Sequence, residues 1–93
     1  METRQVVVTT EYRGVFFGTV DSENDRTIVL TNARNCVSWS ASVRGIFGLA
    51  AAGPDGNCRI GPAVPRITLV GVTSVTDCTD SAVKAWEAGP WSS

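Results

Sequence analysis

The chain has 93 residues, of which 43% are hydrophobic and 18% charged, and this composition is that of a folded globular protein, not of a disordered one. Its formal net charge of −1 excludes the broad basic surface of most nucleic-acid binders, and the absence of histidine excludes His-based triads, His-ligated metals and histidine pH switches. The length predicts a single domain over residues 1–93, with a core small enough that self-association would add stability.

The N-terminal third is predicted to form three strands. Gln5–Thr10 and Val15–Val20 are rich in β-branched and aromatic residues, and a Tyr-Arg-Gly segment separates them. Turn-forming and charged residues fill Asp21–Asp25, and Thr27–Thr31 has strand character again. This pattern predicts a hairpin between the second and third strands.

The next segment is predicted to contain a turn, a short strand and a helix. Asn tolerates positive φ, so Asn32–Asn35 is expected to be a tight connection before a fourth strand at Cys36–Trp39. Ser40 or Ser42 can cap a short helix that ends at Gly53 and Pro54. The helical spacing of four apolar residues predicts its buried face, namely Val43, Ile46, Phe47 and Ala50.

The C-terminal part is predicted to contain a long loop, a bent strand region and a final helix. Three Gly and three Pro make Gly53–Pro65 the longest loop, and Ile67–Val75 resumes strand character with a bend at Gly71. Thr79 caps the last helix, whose buried stripe is Ala82, Val83 and Trp86. The predicted fold is therefore α+β, with a curved antiparallel sheet or small barrel of about six strands and two short helices.

The cysteine and carboxylate patterns offer little support for catalysis or metal binding. Cys36, Cys58 and Cys78 are odd in number and form no closely spaced pair, so we interpret them as reduced core residues without a metal. The carboxylates of Asp21–Asp25 are typical of a solvated turn. No cofactor is implied, and we expect a protein that is not an enzyme.

Arginine usage indicates a possible binding site. Seven of the eight cationic residues are Arg, which suits bidentate contacts to phosphate, although a GC-rich genome would produce the same bias. Arg34 lies between two asparagines and five residues before Trp39, and Arg66 lies beside the long loop. The candidate site for a small anionic ligand with a ring comprises Phe17, Asn32, Arg34, Trp39 and Arg59. The alternative for Trp39 is a core aromatic.

Several segments resemble a family of small proteins of tailed bacteriophages and prophages. They are Gly14–Gly18, Val29–Arg34 and Trp39, together with Leu49–Ala50, Asn57–Cys58, Ile67–Leu69, Cys78 and Trp91, and the resemblance covers nearly the whole chain. In that family the Asn-Ala-Arg stretch continues with a second basic residue and aromatic residues, where this chain has Asn35, Cys36 and Val37. The resemblance therefore extends to Asn32, Arg34 and Trp39 only. It implies a viral origin.

These observations favour one hypothesis over two others. The first is a non-enzymatic phage accessory protein, a homo-oligomer in the host cytoplasm that binds a small nucleotide and sequesters a signal of host defence. The second is a minor capsid or decoration protein of the virion. The third is a direct protein inhibitor of a host factor that acts through the acidic segment Asp21–Asp25. None of them requires a membrane or a long nucleic acid. The longest apolar run is too short to span a bilayer, the N-terminus has no leader pattern, and the net charge of −1 gives no broad basic surface.

Overall fold

A computed structural model describes residues 4–11, 14–38, 45–54 and 58–88, with only the backbone described for Ser38. The elements in chain order are β1 (Gln5–Thr10), β2 (Val15–Asn24), β3 (Thr27–Ser38), α1 (Gly45–Ala51), β4 (Arg59–Ile60), β5 (Val64–Val70), β6 (Val72–Asp77) and α2 (Asp80–Ala88). The fold is α+β, as the alternation of strand and helix patterns predicts. Neither helix in the described ranges is long and apolar enough to span a bilayer.

The six strands form one antiparallel sheet in the order β4-β3-β2-β1-β6, and β5 pairs with β3 on the same side as β4. Gly71 is the single residue between β5 and β6, yet β5 pairs with β3 and β6 pairs with β1, on opposite sides of β2. The sheet must therefore curl strongly, but it does not close. Of the two predicted forms, the curved sheet is correct and the barrel is not.

The predicted hairpin between the second and third strands is confirmed, but its turn is tighter than expected. β2 continues through the acidic segment to Asn24, which pairs with Thr27, so Asp25 and Arg26 alone form the turn. Asp25 has a φ of 55°, in the left-handed region that Asp tolerates better than most residues. The segment Asp21–Asp25 is therefore mostly exposed strand.

The predicted turn at Asn32–Asn35 is wrong, because β3 runs unbroken through it. Asn32 does adopt a positive φ of 50°. It lies where the register against β2 shifts, between the pairs Phe17 with Arg34 and Thr19 with Thr31. One residue of β2 faces two of β3 at this point, which is a β-bulge. The predicted fourth strand is the end of β3 as far as Ser38, and Trp39 lies outside the described residues.

Two hydrophobic clusters lie on opposite faces of the sheet, because successive side chains of a strand alternate between faces. Helices α1 and α2 cover the first cluster, which contains Val7, Val15, Phe17, Cys36, Leu49, Ala50, Cys58, Ile60, Ala82 and Trp86. The sheet curls around the second cluster, which contains Val6, Val8, Ile28, Leu30, Ala33 and Leu69. The bulge at Asn32 explains why Leu30 and Ala33, three positions apart, share a face.

The first helix is short, as its glycines predict, but its buried face is partly wrong. Leu49 and Ala50 are buried and Ile46 packs against them, whereas Phe47 is 79% exposed. Ile46 and Ala50 thus agree with the predicted stripe, and Leu49 takes the place predicted for Phe47. Ser40, Ser42 and Val43 lie outside the described residues.

The second helix agrees with its prediction. The Thr79 hydroxyl accepts a hydrogen bond from the Ala82 amide at 3.1 Å, as an N-cap does, and it donates to the Ala51 carbonyl at 2.6 Å. Of the predicted stripe, Ala82 and Trp86 are fully buried, and Val83 is half-buried against the same cluster. Thr79 therefore caps α2 and also satisfies a terminal carbonyl of α1.

The predicted long loop is shorter than expected. Within Gly53–Pro65 the structure contains β4 and the start of β5. Pro65 thus lies in a strand whose one partner among the described strands is β3. The bend at Gly71 is confirmed, with a φ of 68° between β5 and β6. Pro is tolerated in a strand of this kind because its missing N–H can face outward.

Candidate functional site

Phe17, predicted as a ring for ligand stacking, lies in the core. Its side chain is buried, and its ring is stacked on that of Trp86 at a centroid distance of 5.1 Å with an angle of 4° between the rings. The Trp86 indole also donates to the Leu49 carbonyl at 3.1 Å. This aromatic pair fixes α1 and α2 against β2, and it gives Phe17 a structural role.

Arg34, predicted as a phosphate contact, is a buried cation on β3. Its Nε donates to the Gly61 carbonyl at 2.8 Å and its Nη1 to the Trp86 carbonyl at 2.7 Å. Trp86 lies in the last turn of α2, where carbonyls lack helical partners and favour a positive charge. Arg34 therefore joins the segment before β5 and the end of α2 to the sheet.

The other predicted site residues are spread along β3 and its neighbour. Asn32 is exposed at the bulge, two positions before Arg34. Arg59 is exposed on β4, where it pairs with Ser38 at the far end of β3. Trp39 lies outside the described residues. The structure thus brings Phe17 and Arg34 together as paired residues of β2 and β3, but as parts of the core.

A half-open pocket of about 120 Å³ lies on the sheet next to Arg34. We call it the sheet pocket, and it is lined by Phe16, Ala33, Arg34, Asn35, Pro62, Val64 and Ile67. β2, β3 and β5 supply the apolar wall. Asn35, the cross-strand partner of Phe16, adds an amide to this wall, whereas the guanidinium group of Arg34 is bonded to the carbonyls of Gly61 and Trp86. The pocket can therefore bind an apolar group that carries a hydrogen-bonding edge.

Sequence reasoning missed Phe16, Asn35, Val64 and Ile67 as pocket residues. Phe16 and Phe17 are adjacent and point to opposite faces of β2, so one lines the pocket and the other enters the core. The available signal was the alternation along β2, since Phe16 shares its face with Gly18 and Val20. Nothing in the local sequence shows that Val64 and Ile67 lie beside β3.

Most of the other described arginines pair with carboxylates on the surface. Arg4 bonds Asp77 at 2.7 Å and Glu23 at 3.0 Å, which raises its pKa through these two hydrogen bonds. Arg66, predicted to add charge near the site, bonds Asp21 at 3.1 Å, and Arg26 bonds Glu11 at 3.0 Å. These exposed pairs connect different segments of the sheet, with about 0–1 kcal/mol expected for each.

The three cysteines are free thiols that pack in or against the first cluster. Cys36 and Cys58 are buried. Burial, with a smaller contribution from the negative charge of Asp77, raises the pKa of the Cys78 thiol to about 12. A thiol with this pKa is a poor nucleophile at neutral pH. In the described part of the chain, no three Cys, Asp or Glu side chains group as metal ligands do.

Comparison with known proteins identifies a family. Residues 3–86 match the domain of unknown function DUF6948, so the chain belongs to that family. The matched segment includes all six strands and every residue that lines the sheet pocket. No curated protein and no solved structure matches the chain.

Proposed function

We propose that this chain is a non-catalytic binding protein and that the sheet pocket holds part of a small ligand. The observation that carries the proposal is the pocket itself, where the apolar side chains of Phe16, Val64 and Ile67 meet the amide of Asn35. An apolar wall with a few polar groups is the usual make-up of a small-molecule site.

The size of the sheet pocket limits what it can hold. Its volume of about 120 Å³ is close to that of a cavity of roughly 150 Å³ that accepts benzene. It is well below the roughly 300–1,000 Å³ of a site for a drug-sized ligand. One six-membered ring fits inside. A nucleotide would insert its base and leave its sugar and phosphate on the surface.

The proposed biological role is that of a phage accessory protein that sequesters a nucleotide signal of host defence in the host cytoplasm. The resemblance to phage and prophage proteins supports the viral origin. The amide of Asn35 beside the ring of Phe16 supports a heterocyclic ligand, because amides bond base edges and aromatic rings stack on base faces. The phosphate contact expected of Arg34 is less favoured, since two carbonyls already accept hydrogen bonds from its guanidinium group.

The test is calorimetric titration with nucleosides, mononucleotides, cyclic di- and oligonucleotides and ADP-ribose derivatives. Val64 is exposed at the rim of the pocket, so Val64→Trp fills the pocket without removing a core side chain. We expect it to weaken binding at least about tenfold. Val70→Trp, on the same strand but outside the pocket, is the matched control and should leave the affinity unchanged. Flat titrations with every compound would reject the proposal.

A virion structural protein is the second candidate. The described surface exposes four large apolar side chains, namely Val37, Phe47, Val64 and Val70, which favours contact with other protein subunits. A decoration protein must be abundant in particles, whereas a protein that sequesters a ligand need not be. Mass spectrometry of purified particles separates these two roles.

A further inference from the structure

β6 is an outer strand of the sheet with an open edge. Within the described ranges its one strand neighbour is β1. Thr73, Ser74 and Asp77 are exposed, and Val75 and Thr76 are half-buried. An edge of this kind presents backbone N–H and C=O groups that can pair with another strand.

The register with β1 identifies these outward groups. The Cys78 amide donates to the Gln5 carbonyl, and backbone groups alternate in direction along an antiparallel strand. Thr76 and Ser74 therefore direct their backbone groups toward β1, whereas Val75 and Asp77 direct theirs away from it. The outward N–H and C=O of Val75 lie near the middle of the exposed edge.

The edge of β6 lacks the protection seen on β5. β5 contains Pro65, which cannot donate, and Arg66, whose side chain is exposed. Proline and basic residues are common devices against strand addition. β6 reads Val-Thr-Ser-Val-Thr-Asp and contains neither of them. Of the two edges, β6 is the one that favours pairing.

We propose that β6 pairs with the β6 of a second copy of this chain, antiparallel and centred on Val75. This register lets the two Val75 residues exchange backbone hydrogen bonds, because their groups face outward. It also keeps equivalent faces of the two sheets on the same side, since Ser74 of each copy then faces Thr76 of the other. Two six-strand sheets become one continuous sheet with a twofold axis.

The charges and hydroxyl groups of β6 suit this self-pairing. The register places Asp77 of each copy opposite Thr73 of the other, so that two carboxylates never face each other directly. Arg4 already compensates Asp77 through a bond of 2.7 Å, and the Thr73 hydroxyl, which shares a hydrogen bond of 2.7 Å with the Thr9 hydroxyl, adds no charge at the contact. Like charges directly opposite would be destabilising, and this arrangement avoids them.

The exposed ring of Phe47 enlarges the contact. Phe47 lines a shallow groove of about 220 Å³. The other residues of this groove are Ala50 and Ala51 of α1, Thr76 and Asp77 of β6, and Thr79, the N-cap of α2. In the proposed register, Ser74 of the second copy lies opposite Thr76, at the border of this groove. The ring would then lose water on association, which explains why a large aromatic group projects from α1.

The test combines sedimentation with amide hydrogen exchange from about 10 μM to about 1 mM protein, where a dimer of moderate affinity forms. We expect the mass to rise toward twice 9.8 kDa. We also expect the amides of Val75 and Asp77 to become at least about tenfold better protected, because they bond to solvent in the monomer. The amides of Ser74 and Thr76 should be protected at both concentrations.

Two variants and a control test whether the outer edge of β6 is the surface that self-associates. Val75→Pro removes the outward N–H and no bond to β1, and Thr76→Lys places a cation against the second copy. Each should weaken self-association at least about tenfold. Thr68→Lys, exposed on β5, should not change it. Circular dichroism identifies a variant that fails to fold. The self-association of the other variant then tests the proposal.

The exchange data distinguish the remaining outcomes. A protein that stays monomeric at the highest concentration would overturn the proposal. A dimer in which Val75 and Asp77 gain no protection would overturn it too, because another surface would then be the interface. Protection of these amides by an extended peptide without self-association would show that the edge receives a different chain. The sheet pocket is lined by β2, β3 and β5, so its ligand binding is independent of each result.

Discussion

At the scale of single residues, Arg34 was predicted from the sequence to bind a ligand, and in the structure it stabilises the core. Its guanidinium group bonds the carbonyls of Gly61 and Trp86, which belong to segments distant in sequence. A buried carbonyl without a donor costs about 1–3 kcal/mol. The planar, forked geometry of Arg explains why one side chain can satisfy both acceptors.

We therefore expect Arg34→Ala to lower the free energy of unfolding by about 3 kcal/mol, since it leaves two acceptors unpaired. Arg34→Lys should recover less than half of this loss, because an ammonium group lacks the fork. Urea denaturation measures both variants. Arg66→Ala removes an exposed ion pair and is the matched control, with an expected change below about 1 kcal/mol. Equal losses for Arg34→Ala and Arg66→Ala would contradict the structural role.

The raised pKa of Cys78 predicts how its alkylation and the stability of the protein depend on pH. Because its pKa in the folded protein is about 12, the thiol should resist iodoacetamide until the pH is well above its ordinary pKa near 9. Below that ordinary pKa, the Cys78 thiol keeps its proton in both the folded and the unfolded chain, so it adds no pH dependence to the free energy of unfolding. Above it the unfolded chain loses the proton first, and stability falls as the pH rises toward 12.

The measurement is the alkylation rate of the Cys78 peptide by mass spectrometry, in buffer and in urea, across this pH range. The rate in urea should rise around the ordinary thiol pKa, and the rate in buffer should lag behind it. Equal rates in the two solvents at pH 8 would show that the thiol is exposed in the folded protein.

At the scale of elements, the sequence was sufficient for most strands and for α2 but not for the course of β3. The β-branched residues and the polar turn predict the hairpin, and Thr79 predicts the start of α2. A single Asn with positive φ is compatible with a turn or with a bulge in a continuing strand, and local sequence does not distinguish them. The choice depends on β5, which pairs with β3 on both sides of Asn32.

The same reasoning explains the errors in α1 and in the candidate site. Two helical phases fit the apolar residues of α1 about equally well, and packing against β1 and β6 selects the one that buries Leu49 and exposes Phe47. Phe17 has the composition of a stacking residue, and its partner Trp86 is far away in sequence. Contacts of this range cannot be deduced from local patterns.

The bulge at Asn32 gives a prediction for this element. Asn32→Gly should leave the free energy of unfolding nearly unchanged, because glycine adopts a φ of 50° without strain. Asn32→Val should lower it by about 1–2 kcal/mol, because a β-branched residue is strained there. Thr68→Val, at an exposed position of β5, should be neutral or slightly stabilising. Thermal unfolding followed by circular dichroism measures all three, and a neutral Asn32→Val would argue against the bulge.

At the scale of the whole molecule, Gly71 is the corner that joins the two ends of the sheet. Its carbonyl accepts from the Glu11 amide at 3.1 Å, and the next residue, Val72, donates to the Arg26 carbonyl at 3.0 Å. The end of β1, the turn of the hairpin and the junction of β5 with β6 therefore meet at one point. These two hydrogen bonds hold the backbone of Gly71 and Val72 in place.

Gly71→Ala should therefore destabilise the protein by about 2 kcal/mol, since the hydrogen bonds of Gly71 and Val72 hold the φ of 68°, which strains a residue that has a Cβ. Gly45 has a similar φ of 74° but open space around its Cα. Gly45→Ala should cost only about 1 kcal/mol. Chemical denaturation compares the two, and a smaller loss for Gly71→Ala would show that the corner is not constrained.

The pairing of β1 with β6 has a consequence for how the chain acquires its structure during synthesis. Val6 can pair with Asp77 only after Asp77 itself has left the ribosome. Until then β2 is the one described strand that can pair with β1, and the outer side of β1 stays accessible to chaperones. Closure between such remote segments is slow, so we expect the pairing of β1 with β6 to form in milliseconds to seconds and not in microseconds.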